Sequence, residues 1–378
     1  MDRTRVPCGI RFAQRHAGDG TALPARSAAE EVHGITIPSQ IAQRRRRHWG
    51  VPHNSLRGPR VYSRAAGRYI ADFEGSWCTV KPPPFQYHAP RTVDEAVELL
   101  DRYSDSAKVL AGGQSMVPLL NLRLANVEHL IDLNTIDGLT YISNDQDHAL
   151  TIGATARQRA VEQSSAVTDR LAILQDALSY VGHMQIRNRG TVVGSICHAD
   201  PAAEMPALWL AVGGEATIVA TSGKRKIDAD SFFASYFTTS VQPNELVTEV
   251  TFNVANSATG HSINEVARRH GDFALAGVVA QVTLDDDRKA ISDARIALFG
   301  VAGTPVRAGS AERLLKGRAA DDEAWAAAAD AVDGDISPTS DVHASEEYRR
   351  QVARVLTQRS LREAAERAAG QPQRGGSR

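Results

Sequence analysis

The segment Ala111-Gly112-Gly113-Gln114-Ser115 lies between a strand-like Lys108-Val109-Leu110 and the apolar run Met116-Val117-Pro118-Leu119-Leu120, and it constrains the chain more than any other stretch. Two adjacent glycines after a β-run let the backbone turn with positive φ and present bare N–H groups to an anion. Alone, such a pair is an ordinary strand-to-helix turn. A second small-residue segment changes that reading: Gln185-Ile186-Arg187-Asn188-Arg189-Gly190-Thr191-Val192-Val193-Gly194-Ser195, followed by Cys197-His198-Ala199-Asp200-Pro201-Ala202-Ala203-Glu204-Met205-Pro206. Two separated phosphate-type loops suit a long dinucleotide better than a mononucleotide. The sequence holds no G-x-G-x-x-G and no G-x-x-x-x-G-K-[ST], which argues against a nicotinamide-type Rossmann fold and against a P-loop NTPase.

The rest of the chain reads as regular mixed structure. Thr92-Val93-Asp94-Glu95 is a capping box for a helix through Ala96, Val97, Leu99 and Leu100. Strands are expected at Lys108–Leu110, His129–Leu133, Ala149–Ala154, Glu215–Ala220 and Leu246–Phe252, with Thr155 capping a helix after the third. Leu171, Leu174, Ala177, Leu178 and Val181 carry helical spacing into the second loop. Gly213-Gly214 and Gln242-Pro243-Asn244 read as turns. Beyond Asn256 come strands at Ser262–Ala267, Val278–Leu284 and Ala294–Phe299, then alanine-rich helices near 308–316, 319–332 and 345–369, an α+β order that marks a separate domain.

The 378 residues are 42% hydrophobic and 23% charged with net charge −1, enough for two domains with cores and without bias toward nucleic acid or membrane. No apolar run approaches the ~20 residues that cross a bilayer. Cys8, Cys78 and Cys197 form no CxxC pair and no disulfide framework, which fits a reducing cytoplasm. Cys197 reads as a small buried residue. His198 beside Asp200 lacks further ligands at metal spacing, so no metal site is assigned.

The motifs carry a resemblance. Ala-Gly-Gly-Gln-Ser-x-x-Pro-Leu-x-x-x-Arg-Leu, from Ala111 to Leu124, resembles the first flavin loop of the FAD-binding (medium) subunits of molybdenum hydroxylases, the group of aerobic carbon monoxide, xanthine and nicotine dehydrogenases. The stretch Arg187 to Pro206 resembles the second loop, Arg-x-x-Gly-Thr-Val-Gly-Gly-Asn/Asp/Ser with His-Ala-Asp-Pro-x-x-Glu-x-Pro behind it. The similarity runs from about Val80 to about Arg367. It implies an α+β chain: a PCMH-type, vanillyl-alcohol-oxidase-like FAD-binding fold of two subdomains over residues 80–256, then a smaller α+β domain like the carbon monoxide dehydrogenase flavoprotein C-terminal domain over 257–369, and a tail over 370–378.

By that resemblance Ala111, Gly112, Gly113, Gln114 and Ser115 hold the FAD diphosphate through N–H groups and a hydroxyl, a cradle of neutral donors. Thr191, Val192, Val193, Gly194 and Ser195 form the second contact along the diphosphate and ribityl chain. Glu204 stands where the family has an acid near the ribityl or ribose hydroxyls, a role that suits a carboxylate accepting from a diol. Arg268-Arg269-His270-Gly271-Asp272-Phe273-Ala274 resembles the stretch that places an aromatic residue, here Phe273, beside the isoalloxazine. Leu246 falls where the family packs an apolar side chain near the cofactor. Read without the resemblance, Ser115 is a turn hydroxyl, Glu204 a surface carboxylate, and Phe273 and Leu246 ordinary core. Two departures stand out. Val193 replaces a usual glycine, and a β-branched residue is poor at positive φ, so either the backbone is extended there or the loop has shifted. Ser195 replaces Asn or Asp and can still donate and accept.

The implied function is a subunit that holds FAD non-covalently in a heterotrimer, two of which pair as a dimer of heterotrimers, with no catalytic acid or base of its own. Electrons would come from 2Fe–2S clusters in a small subunit, after oxidation of substrate at molybdopterin in a large one, and leave to NAD, a quinone or another acceptor. The location would be cytoplasmic, with any membrane association through the complex. The alternatives are a free-standing flavin oxidase of the same fold and an interaction subunit without flavin. Residues 1–79 contain many arginines, including Arg44–Arg47, and no lysine, and read as disorder or a tail. The explanations are a transit peptide, a twin-arginine export signal, which the lack of an apolar stretch after the arginines argues against, and an untranslated stretch. The last is favoured, because Val80-Lys81-Pro82-Pro83-Pro84-Phe85-Gln86-Tyr87 resembles the family's start, Met-Lys-Pro-x-x-Phe-x-Tyr; a GTG start codon would read as the valine at Val80, and a purine-rich GAGGG would encode Glu74-Gly75 upstream.

Overall fold

The computed structural model describes residues 81–145 and 149–370, which belong to one compact unit. The expectations for residues 1–79, a start at Val80 and the tail beyond Gly370 lie outside the described residues.

The chain opens with β1 (Gln86–His88), α1 (Val93–Tyr103), β2 (Ala107–Leu110), α2 (Met116–Asn121) and β3 (His129–Asp132), whose strands form a parallel sheet in the order β1-β3-β2. Thr92 caps α1 by accepting from the Glu95 N–H at 3.1 Å, and Glu95 reaches back to the Arg91 N–H at 2.6 Å, one residue further than a standard capping box. Parallel strands point their carboxyl ends the same way, so Leu110 delivers the glycine segment and Asp132 delivers Asn134 to one edge.

Next come β4 (Ile142–Asp145), β5 (Ala149–Gly153), α3 (Gln158–Glu162), α4 (Ser165–Tyr180), α5 (Met184–Arg187), α6 (Val192–His198), α7 (Glu204–Val212), β6 (Glu215–Ala220), β7 (Gly223–Asp228), α8 (Ala229–Phe232), β8 (Phe233–Ser235), β9 (Thr238–Thr239) and β10 (Leu246–Asn253). Five of these strands make an antiparallel sheet ordered β4-β5-β10-β6-β7. Thr155 does not cap a helix: its hydroxyl pairs with that of Thr140 at 2.7 Å, and α3 begins after Arg157. Every residue of α7 is buried, so it reads as a plain apolar run without helical period.

The last portion holds β11 (Thr259–Ala267), β12 (Ala274–Leu284), β13 (Ile291–Phe299), β14 (Val306–Arg307), α9 (Gly309–Leu315), α10 (Asp322–Ala331) and α11 (Glu346–Ala368), with the strands in an antiparallel meander. One face of the meander packs Val278, Ile296 and Leu298 against Trp325 and Leu356 of the helices. Its other face gives Ile263, Val279, Ala297 and Phe299 to the core built around Trp209, Phe232 and Phe252. Burial on both faces makes β12 almost continuously apolar.

Helix α7 is therefore the spine between the two halves. Trp209 donates its indole N–H to the Thr251 carbonyl at 2.8 Å, tying α7 to β10. From β13, Arg295 donates Nε to the Ala211 carbonyl at 2.7 Å and Nη2 to that of Leu210 at 3.1 Å, satisfying carbonyls that a helix end leaves open. Arg295→Leu is expected to strand those carbonyls and lower stability by about 2–3 kcal/mol, read as a lower urea midpoint with unchanged slope.

Candidate functional site

The two small-residue segments meet backbone to backbone. A Cβ on Gly112 would lie 2.7 Å from both the Arg189 carbonyl oxygen and the Gly190 Cα, and 3.0 Å from the Thr191 nitrogen. Only glycine allows that approach. Gly113 turns the chain with φ +74, and a Cβ there would also crowd Leu110 and Val117 at 3.3 Å. Of the pair, one glycine serves positive φ and the other close contact.

Polar side chains lock the junction. Asn134 donates to the Ala111 carbonyl at 2.8 Å, and Arg157 donates one Nη to Asn134 Oδ1 at 2.5 Å and the other to the Arg189 carbonyl at 2.6 Å. The Gln158 N–H adds a bond to the Gly190 carbonyl at 2.8 Å. Asn134 is itself held by Asp132, whose other oxygen accepts from the Tyr87 hydroxyl at 2.6 Å. Burial, with that carboxylate partner, pushes Tyr87 up to about 12. Burial and the neighbouring Arg189 lower the Arg157 pKa, the mark of two cations held close together. Among the described residues, the N–H groups from Gly112 to Ser115 donate to no other protein group.

The second segment is a helix start. Thr191 caps α6 by accepting from the Gly194 N–H at 3.1 Å. Ahead of it, burial opposes but hydrogen bonds from Arg159 and Arg187 prevail in holding Glu162 below the usual carboxylate range. Arg187 also donates to the Val181 carbonyl at 2.9 Å, which pins the approach to the loop. The tip of the β11–β12 hairpin lands on this approach: a Cβ on Gly271, at φ +88, would lie 2.9 Å from the Gly182 carbonyl and 3.0 Å from the His183 ring. Phe273, on that tip, is 59% exposed.

Behind α6 lies an acidic group. Glu204, the first residue of α7, is buried, and burial, reinforced by Asp200, pushes it up to about 7. Burial pushes Glu265 on β11 up to about 8, with Glu204 adding to the shift. Burial likewise raises Asp200 and lowers His198, although each partly offsets the other's shift. The His198 ring lies 5.1 Å from that of Phe237.

Residues 83–252 match the FAD binding domain in molybdopterin dehydrogenase, and 261–364 match the CO dehydrogenase flavoprotein C-terminal domain. The chain is 39% identical to the 6-hydroxypseudooxynicotine dehydrogenase complex subunit alpha of Paenarthrobacter nicotinovorans over 76% of its own length and 97% of that protein. It is 36% identical to the carbon monoxide dehydrogenase medium chain of Hydrogenophaga pseudoflava, covering 76% and 99%. A solved carbon monoxide dehydrogenase from the same organism superposes with a TM-score of 0.73 at 37% identity over 76% of this chain and 99% of that one. The chain belongs to the FAD-binding medium-subunit family of the molybdenum hydroxylases.

Within this flavoprotein subunit the site residues read from sequence fall into two sets. Gly112, Gly113, Gln114, Ser115, Thr191, Gly194 and Ser195 gather at one junction, with Ala111 beside Gly194, and Phe273 is exposed on the hairpin that abuts its approach. Val192, Val193 and Leu246 turn their side chains into the core, so what they offer a ligand is backbone. The concern over Val193 dissolves: the residue is helical, with no positive φ, and neither an extended backbone nor a shifted loop is needed. Glu204 is no surface carboxylate and Phe273 no core residue. Arg157 stands beside this junction, its guanidinium bonded to Asn134 and to the Arg189 carbonyl. Cys197 packs against the core, and burial pushes its thiol up to about 12. Asn134 and Arg157 escaped the sequence reading because each is an isolated polar residue after a strand, joined to the loops only through space.

Two outcomes follow for this flavoprotein subunit. Gly112→Ala forces the first loop off Arg189–Thr191 and is expected to lose bound FAD while leaving the far-UV circular dichroism unchanged, since the clash lies outside the helices and strands. For Glu204, the folded pKa of about 7 exceeds the usual 4.5, so the unfolded chain releases its proton first as pH rises, and stability is lost from about pH 4.5 up through 7. Glu204→Gln in the FAD-free protein should therefore match the parent's melting temperature near pH 4.5 and exceed it at pH 8.

Proposed function

We propose that this chain is the electron-transfer flavoprotein of a heterotrimeric molybdenum hydroxylase, assembled as a dimer of heterotrimers. Electrons reach its FAD from 2Fe–2S clusters in a small subunit, after substrate oxidation at molybdopterin in a large subunit, and pass to NAD, a quinone or another acceptor. The observation that carries the reading is the contact of the two loops at Gly112, which aligns free N–H groups on one side with a capped helix start on the other. Carbon monoxide, nicotine, glyceraldehyde and caffeine all occur in the names of similar proteins, so the flavin subunit is common to several substrates.

The residues fit the cofactor. The N–H groups of Gly112–Ser115, with Arg157 and Arg189 close by, suit a diphosphate. Thr191, Gly194 and Ser195 line the other side of the same junction. Glu204 accepts from hydroxyls, and Phe273 supplies an exposed flat ring for packing on another ring. FAD supplies the redox chemistry; the chain binds it, orients it and keeps water from its inner edge. The division between a cofactor domain over 80–256 and a smaller domain over 257–369 belongs to this proposal.

Expression with the genes for a small iron–sulfur and a large molybdopterin protein should yield one complex holding stoichiometric FAD, iron and molybdenum. Mixing the reduced partners with the FAD-loaded chain should bleach the flavin's visible absorbance. FAD that binds but is never reduced through such partners would favour the free-standing oxidase instead.

A further inference from the structure

Strand β11 presents alternate side chains to opposite faces. Ser262 and Asn264 face α11, where their side chains bond Glu363 and Ser360. Ile263 faces the other way and joins the core around Trp209. Glu265 shares the parity of Ile263, so it projects from the C-terminal domain toward the cofactor half, and there it feels the charge of Glu204. Its Oε2 is sealed from solvent and, among the described residues, accepts no hydrogen bond. Glu204 is 5% exposed, and among the described residues no other residue donates to its carboxyl; only its own N–H does.

Buried carboxyl oxygens without donors are rare and costly in proteins. Glu265 Oε2 is one such oxygen, and the Glu204 carboxyl, carried by the other domain, has among the described residues only its own N–H as donor, which leaves both open to donors from a bound molecule. A metal ion does not supply the answer, since no group of three or more His, Cys, Asp or Glu among the described residues could hold one. Hydroxyl groups do: each donates once, and a carboxylate accepts two such bonds side by side.

We propose that Glu265 is a second carboxyl arm of the cofactor site, closing with Glu204 on vicinal hydroxyls of the flavin nucleotide. This rests on the reading of the chain as an FAD subunit. The C-terminal domain thereby contributes a binding residue of its own, and cofactor binding fastens the two domains together. Donated hydrogen bonds favour the charged carboxylate, so binding expels the proton that burial retains. The other titratable groups around the pair are Asp200 and His198 before α7, Tyr180 and Asp176 on α4, and Glu363 and Arg367 on α11. FAD binding consequently tightens as pH rises from about 6 to about 8.

The test is titration of the full FAD-stripped chain with FAD and with ADP, which shares the diphosphate and ribose but lacks the ribityl chain. Glu265→Gln should bind FAD about tenfold more weakly or worse and lose the pH dependence. Glu265→Asp keeps the charge, so it should bind weakly yet retain the dependence; it serves as the second variant if the glutamine form does not fold. ADP weakened in parallel assigns the hydroxyls to the ribose, and ADP unaffected assigns them to the ribityl chain. A Glu265→Gln protein with parental FAD affinity at every pH overturns the proposal. Failure of the parent chain itself to bind FAD at any pH would instead overturn the reading of its function.

Discussion

The contact between Gly112 and the Arg189–Thr191 backbone is the constraint on which the site depends. With no side chain between them, two loops from different subdomains stand at van der Waals distance. The remaining polar contacts are consequences of that approach. Asn134 reaches Ala111 and Arg157 reaches Arg189 only because the two carbonyls have been brought to the same place. The parallel sheet supplies one loop at a strand's carboxyl end, where such folds expose backbone groups. The capped start of α6 supplies the other. Their fixed separation makes the junction rigid.

The second constraint is α7. A helix buried on every side cannot be placed by its own amphipathicity, so its position is set by what it touches: Thr251 through Trp209, and Arg295 at its carboxyl end. Because the meander of the C-terminal domain packs on this helix, the hairpin tip bearing Phe273 is located relative to the loops at the amino-terminal half. The C-terminal domain is thus part of the site's geometry, since the core it joins through Ile263 and Phe299 also holds Val192 and Val193 of the second segment.

Much of this was legible in the sequence, and the gaps have physical causes. Strands Glu215–Ala220 and the meander were read to within a few residues, because alternation and β-branched content point the same way. Strand β7, Gly-Lys-Arg-Lys-Ile-Asp, was not, since a charged edge strand has no apolar face to betray it. Helices α6 and α7 were hidden in what looked like a loop followed by acids: their short length and full burial erase the 3.6-residue period. At the site, the glycines and Thr191 were visible as motifs. The need for Gly112 was misattributed to φ when it arises from crowding, and crowding between residues so far apart in sequence leaves no local signature. Asn134, Arg157 and Glu265 were unreadable for the same reason.

The burial of Glu204 shows why motif position and chemical state must be considered separately. A sequence comparison places an acid before Pro206; only the fold places it at the first turn of a helix sealed in the core. A carboxylate at a helix start is ordinarily stabilised by the helix dipole and by exposed N–H groups, which lowers its pKa. Here desolvation wins, and Asp200 adds like charge. The carboxyl is held well above the usual carboxylate range in a place where a structural role would have favoured an amide or an aliphatic side chain. Natural cores bear such a cost chiefly where something outside the chain recovers it. On the proposed function, a hydroxylated ligand is the partner whose donors would offset that cost.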